Sequence, residues 1–134
     1  MTKVQAVEHY NQGVSLFEQG KLNEAMKEMQ AAISLFDAGP MHFYLGVIYY
    51  RQNNLDSAVK ELERAIELGE LGEVTSVAYY NLGMCYNNKK LFQEAADAWR
   101  EFLRFADPKE DAQKIAKVEP FVAQFPIIRH VKLK

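Results

Sequence analysis

Few side chains in this 134-residue chain are of types that do chemistry by themselves: the histidines His9, His42 and His130, one thiol at Cys85, and a set of carboxylates. Histidines at helical spacing ligate metals, and a thiol beside a base is a nucleophile. Neither pattern is complete. No His-x-x-x-His or Glu-x-x-His pair occurs, so no metal-ligand spacing exists. Cys85 lies between Met84 and Tyr86 with no basic residue adjacent to it, as an inert core thiol does. The run Glu61-Leu62-Glu63-Arg64 has the spacing of a solvated helix face. No glycine-rich phosphate loop is present, and the expectation is a non-enzymatic chain with no cofactor and no metal.

Composition narrows the partner. Sixteen Lys and Arg against 18 Asp and Glu leave a net charge of −2, so no broad positive field draws the chain to nucleic acid. One cysteine excludes an internal disulfide and a cysteine-rich metal site. The first residues form no apolar signal core, and no run of about 18 apolar residues appears, which predicts a cytoplasmic protein without membrane insertion.

The aromatic and small residues carry the pattern instead. Between Met41 and Arg51 the chain is apolar or aromatic except at His42 and Gly46, too apolar all round for a helix that packs on one side only. Gly46 recurs 33 residues earlier as Gly13 and 37 residues later as Gly83. Apolar stripes at three- and four-residue spacing surround each glycine. A first helix over Val4 to Phe17 ends before Gly20, and a second carries Leu22, Ala25, Met26, Met29, Ala32, Ile33 and Phe36 on one face. Gly39-Pro40 breaks the chain. In unit two, Leu55, Ala58, Val59, Leu62, Ala65 and Ile66 lie 33 positions after their counterparts, behind an Asn53-Asn54 turn suited to left-handed backbone. In unit three, Thr75 or Ser76 reads as a cap, and Phe92, Ala95, Ala96, Trp99, Phe102 and Leu103 stripe the second helix. Asp107-Pro108-Lys109-Glu110 then has the form of a helix start. Pro120 is expected to end the regular part of this seventh helix near Val118, with Phe121 to Phe125 adding a turn before Pro126. In the tail, Ile127, Val131 and Leu133 alternate with His130, Lys132 and Lys134, a period suited to an extended segment.

Over roughly Ala6 to Pro108 these units resemble the tetratricopeptide repeat, two antiparallel helices in a period of 34 residues. The signature of the first helix stands as Tyr79, Leu82-Gly83 and Tyr86, as His42, Leu45-Gly46 and Tyr49, and more weakly as His9, Gln12-Gly13 and Leu16. The two histidines thus take the place of bulky packing residues. The second-helix signature appears as Ala25, Met29 and Ala32, as Ala58, Leu62 and Ala65, and as Ala95, Trp99 and Phe102. Phe102, where alanine is the rule, points to a terminal capping helix rather than a fourth repeat.

The resemblance implies an all-α fold, a right-handed α-solenoid of three antiparallel helix pairs with a seventh, capping helix. A single domain over 1–134 would hold repeats at about 6–38, 39–72 and 76–108, a cap at about 108–125 and a tail at 126–134. It also implies a concave groove lined by the first helix of each pair. Here those positions are Tyr10, Asn11, Val14 and Phe17, then Phe43, Tyr44, Val47 and Tyr50, then Tyr80, Asn81, Met84 and Asn87, an aromatic trough with amides at both ends. Relatives that hold a chaperone's C-terminal carboxylate use a clamp of Lys, Asn and Arg, which would fall at Tyr10, Val14, Tyr44, Val77 and Asn81, where no basic residue stands. The trough is similar instead to those of repeat-type secretion chaperones, which take an extended, partly apolar peptide. The expected partner is therefore another protein or peptide segment. The alternative is homo-oligomerisation through the groove or the tail segment Phe125-Pro126-Ile127-Ile128.

Overall fold

The computed structural model describes residues Thr2 to Ile127. Seven α-helices follow one another: α1 (Thr2–Glu18), α2 (Leu22–Leu35), α3 (Gly39–Arg51), α4 (Leu55–Leu68), α5 (Thr75–Asn88), α6 (Phe92–Phe105) and α7 (Ala112–Ala123). Among the described residues there is no strand. The helices pair as α1 with α2, α3 with α4 and α5 with α6, and the pairs stack through α2 on α3, α4 on α5 and α6 on α7. This is the all-α repeat solenoid that the 33- and 37-residue spacings imply.

Each hairpin closes on its small residue. A Cβ on Gly46 would lie 2.6 Å from Leu62 Cγ, and one on Gly13 would lie 2.7 Å from the end of Met29. Ala25, Ala32, Ala58, Ala65 and Ala95 are fully buried across the same contacts. Gly39, at the start of α3, serves a different approach: a Cβ there would meet the backbone oxygen of Gly69 at 2.2 Å, so the N-terminus of α3 packs directly on the end of α4. The turns within the hairpins share a left-handed residue, at Gly20 (φ 79°), Asn53 (φ 60°) and Lys90 (φ 64°). The first two suit that conformation. Lys90 lacks the local hydrogen bonding that makes it cheap for asparagine, and the surrounding hairpin imposes it.

The apolar stretch of α3 is central because it is packed on several sides. Met41 and Leu45 join Ala6, Met29 and Ala32 in the first core cluster, while Phe43 and Val47 join Leu62, Ala78 and Leu82 in the second. A third cluster of Ala95, Trp99, Phe102 and Val118 ties α7 to α6. Both helical histidines bridge helices. His9 Nδ1 lies 2.6 Å from Glu28 Oε2, and His42 Nδ1 lies 2.5 Å from Glu61 Oε2 one repeat later. His42 Nε2 lies 2.5 Å from Asp37 Oδ1, so its two carboxylates meet opposite edges of the ring rather than converging on a common point.

Three local expectations are corrected. Thr75 does not cap α5; a short 3₁₀ turn at Gly72–Val74 runs straight into the helix, and Thr75 Oγ1 donates to the Gly72 carbonyl at 2.8 Å. The seventh helix begins at Ala112 rather than near Pro108, because Asp107 spends its carboxylate on the N–H groups of Lys109 and Glu110 in a separate turn. It also continues through Pro120 to Ala123 instead of stopping near Val118. Proline removes one donor there and crowds the Ala116 carbonyl, and the packing of Val118, Phe121 and Val122 against the α6 cluster offsets this. Beyond it, Phe125 stacks on Phe121 at 4.8 Å, its carbonyl accepts from Arg100, and the Pro126 carbonyl accepts from Gln93 at 3.2 Å. The expectation for the tail falls on residues 128–134, outside the described residues.

Candidate functional site

The concave side of α3 is organised by Tyr44. Its ring meets Phe43 at 5.2 Å, Phe17 at 5.3 Å and Tyr10 at 5.8 Å, all edge-to-face, the arrangement that ring quadrupoles favour. Burial, with Tyr44 beside it, pushes the Tyr10 phenol up to about 12, and burial followed by the Glu18 charge raises Tyr44. Both phenols therefore stay neutral and able to donate at ordinary pH.

Between this cluster and α5 lies a cleft of about 410 Å³, lined by Phe17, Phe43, Tyr44, Val47, Tyr50, Arg51, Val77 and Asn81. Its walls are half-buried side chains of three helices and its floor is core: Phe43 is 5% exposed and Val47 8%. These two were expected on the contact surface, and packing against α4 and α5 leaves them little area to offer. Arg51 closes one end, its guanidinium carbon 4.4 Å from the centre of the Phe17 ring.

The trough expected from the sequence is thus divided. Phe17, Phe43, Tyr44, Val47, Tyr50 and Asn81 meet in one cleft. Tyr10 and Asn11 face a second pocket of about 260 Å³ with Val7, Phe36 and Met41. Val14 packs against the first core cluster. Tyr80 and Met84 stay half-buried outside that cleft, against α6 and α7: Tyr80 lies 5.1 Å from Phe102 of α6 with Lys114 of α7 over its ring, and Lys117 Nζ stands 3.8 Å from Met84 Sδ. Asn87 does not line the cleft. Two cleft residues escaped the sequence reading, Arg51 and Val77. In the sequence Arg51 reads as the end of an apolar run, and Val77 only as a clamp position without a cation. Position within the repeat could have found both, since each lies one helical turn from a residue already chosen.

Three stacked helical hairpins, a capping helix and a groove along the first helices define an α-helical repeat solenoid. Tetratricopeptide-repeat models match residues 10–73 and 77–105, and the chain belongs to the tetratricopeptide-repeat family, whose repeats typically serve as non-catalytic protein-interaction modules. No curated protein sequence matches it. Among solved structures, a chain of the APC/C hetero-tetramer Cut9–Hcn1 superposes with a TM-score of 0.76 at 18% identity, over 90% of this chain but only 24% of that one. The first repeat domain of Spaghetti (RPAP3), bound to the HSP90 peptide SRMEEVD, superposes at 0.74 and 18% identity over 90% of this chain and 95% of that one. MamA gives 0.70 at 19% identity, over 89% and 72%. At these identities the likeness is one of fold.

Proposed function

We propose that this protein is a non-enzymatic adaptor that binds an extended, partly apolar peptide segment of another protein in the cleft between α3 and α5. The observation that carries this reading is the convergence of Phe17, Tyr44 and Tyr50 with the Asn81 amide around an open cleft. Aromatic side chains supply contact area at low entropic cost, and an amide can pair with a peptide backbone. RPAP3 is a precedent for peptide binding on this fold, but its acidic ligand is not carried over. The positions Tyr44, Val77 and Asn81 offer no cation to a carboxylate, and Arg51, which also lines the cleft, has its guanidinium over the Phe17 ring. Cys85, a fully buried thiol, fits a reducing cytoplasmic setting.

Affinity capture from a native lysate with the wild-type chain and a Tyr50→Ala variant tests the reading. A partner retained by the first and lost by the second supports it, and equal capture by both removes the cleft from consideration.

A second reading, self-assembly into a homo-oligomer, has its own observation. Val4, Val7 and Phe36 are 49%, 46% and 43% exposed at one end of the solenoid, beside the pocket that holds Tyr10 and Asn11. Light scattering across a concentration series tests it, and a constant monomer mass rejects it.

A further inference from the structure

The cleft does not end at α5. Val77 is also a wall of a neighbouring pocket of about 480 Å³, where Phe105 is surrounded by Glu73, Asp107, Glu110 and Asp111. Among the described residues none of these four carboxylates forms an ion pair. Two have local duties: Asp107 accepts the N–H groups of Lys109 and Glu110, and Asp111 accepts the N–H of Asp107 at 2.8 Å. The same bonds hold the Asp107 carboxyl below its usual range, so it stays charged. Glu73 and Glu110 have no such partners among the described residues. The lysines of α7 nearest the groove, Lys114 and Lys117, are turned to Tyr80 and Met84. A largely aromatic cleft, with Arg51 held over Phe17 at one end, thus opens at Val77 beside a polar pocket rimmed with negative charge.

We propose that the occupant of the cleft is an extended partner segment in which an apolar or aromatic residue lies within a few positions of a lysine or arginine. The first seats against Tyr44 and Tyr50, and the second crosses Val77 to the carboxylates around Phe105. Tyr79 stacks on Phe105 at 5.8 Å and Arg104 lies 5.5 Å from the ring centre, so the methylene stem of the basic side chain meets only the part of Phe105 left exposed, while its head reaches Glu73 and Glu110. Because Val77 borders both pockets, two or three residues of extended chain at about 3.3 Å each bridge them. An acidic segment would meet like charge at the same place and is selected against. The inference rests on the cleft being the binding site, and deepens that reading by naming the chemistry of the partner.

Panning a phage-displayed random dodecamer library on the immobilised protein, with the Tyr50→Ala variant for counter-selection, tests it. Peptides that depend on the cleft should be enriched in an apolar or aromatic residue with Lys or Arg within about three positions. Synthetic versions should bind a Glu73→Gln, Glu110→Gln double variant about tenfold more weakly, and should lose that advantage between about 50 mM and about 500 mM salt. Both glutamates are exposed, so the variant should fold normally. Cleft-dependent peptides that are neutral or acidic, or that bind the double variant equally well, overturn the inference and leave the cleft reading standing. Enrichment that ignores Tyr50→Ala, or none at all, overturns both.

Discussion

The indole of Trp99 occupies the space that a side chain on Gly83 would need: a Cβ there would fall 2.2 Å from Trp99 Nε1. That nitrogen donates to the Tyr80 carbonyl at 3.1 Å, and the ring meets Phe121 of α7 edge-on at 5.0 Å. Gly83→Ala must therefore displace the tryptophan from both. We expect a loss of about 1–3 kcal/mol, the usual cost of overpacking. Urea unfolding measures it. Gly46→Leu and Ala58→Leu should be at least as costly, while exposed Lys60→Ala should be nearly silent. Equal midpoints for all four would mean that these glycines are not at the helix contacts.

Cys85 connects the same helix to pH. Burial pushes its thiol from 9.0 to about 11. Between those values the unfolded chain has released a proton that the folded chain keeps. Stability is thus fully present below pH 9 and falls as pH rises towards 11, by up to about 1.4 kcal/mol per pH unit. Tyr10, raised to about 12, extends the fall upward from pH 10. Unfolding titrations from pH 8 to pH 12 should show this decline, and Cys85→Ala should remove its first part. A flat profile to pH 10.5 in the wild type would contradict the buried thiol.

The repeat was legible because overpacking restricts residue type at fixed spacing. Gly13, Gly46 and Gly83, with the alanines opposite them, can be read from sequence alone, and so the helix pairs can be too. Asn53 marked its turn for the same local reason. What was not legible depends on neighbours far away in the chain. Lys90 has no turn signal of its own. Asp107-Pro108-Lys109-Glu110 looks like a helix start, yet its hydrogen bonds close a turn and the helix begins at Ala112. Tyr80 and Met84 have the right helical phase for the groove. Only the placement of α7, with Lys114 and Lys117 against them, sets them apart from the cleft between α3 and α5.

Pro120 is the other consequence of that placement. It lies inside α7 on the exposed side and leaves the Ala116 carbonyl without its usual donor. Pro120→Ala should restore the bond and stabilise α7 by about 1–2 kcal/mol, after allowing for the looser unfolded chain. Hydrogen exchange across 116–123 should slow accordingly. Unchanged exchange would argue that α7 is already broken at the proline.

The groove asks for a more careful substitution than the sequence suggests. Tyr44 is in contact with three other rings, so Tyr44→Ala removes packing as well as any binding surface, and its melting temperature should fall. Tyr50 packs at the rim of the same cleft without such a ring cluster, so Tyr50→Ala should keep the helical signal and most of the stability. Glu63 is unsuitable as a control, because its carboxylate accepts the Tyr86 hydroxyl at 2.5 Å and joins α4 to α5. Lys27, exposed on α2 away from the cleft, serves better. Aromatic anchors at the centre of an interface cost about 2 kcal/mol or more on truncation, so Tyr50→Ala should weaken partner binding at least about tenfold. Lys27→Ala should not change it. Titration calorimetry with a captured partner decides between them, and equal affinities for the two variants would place the binding surface elsewhere.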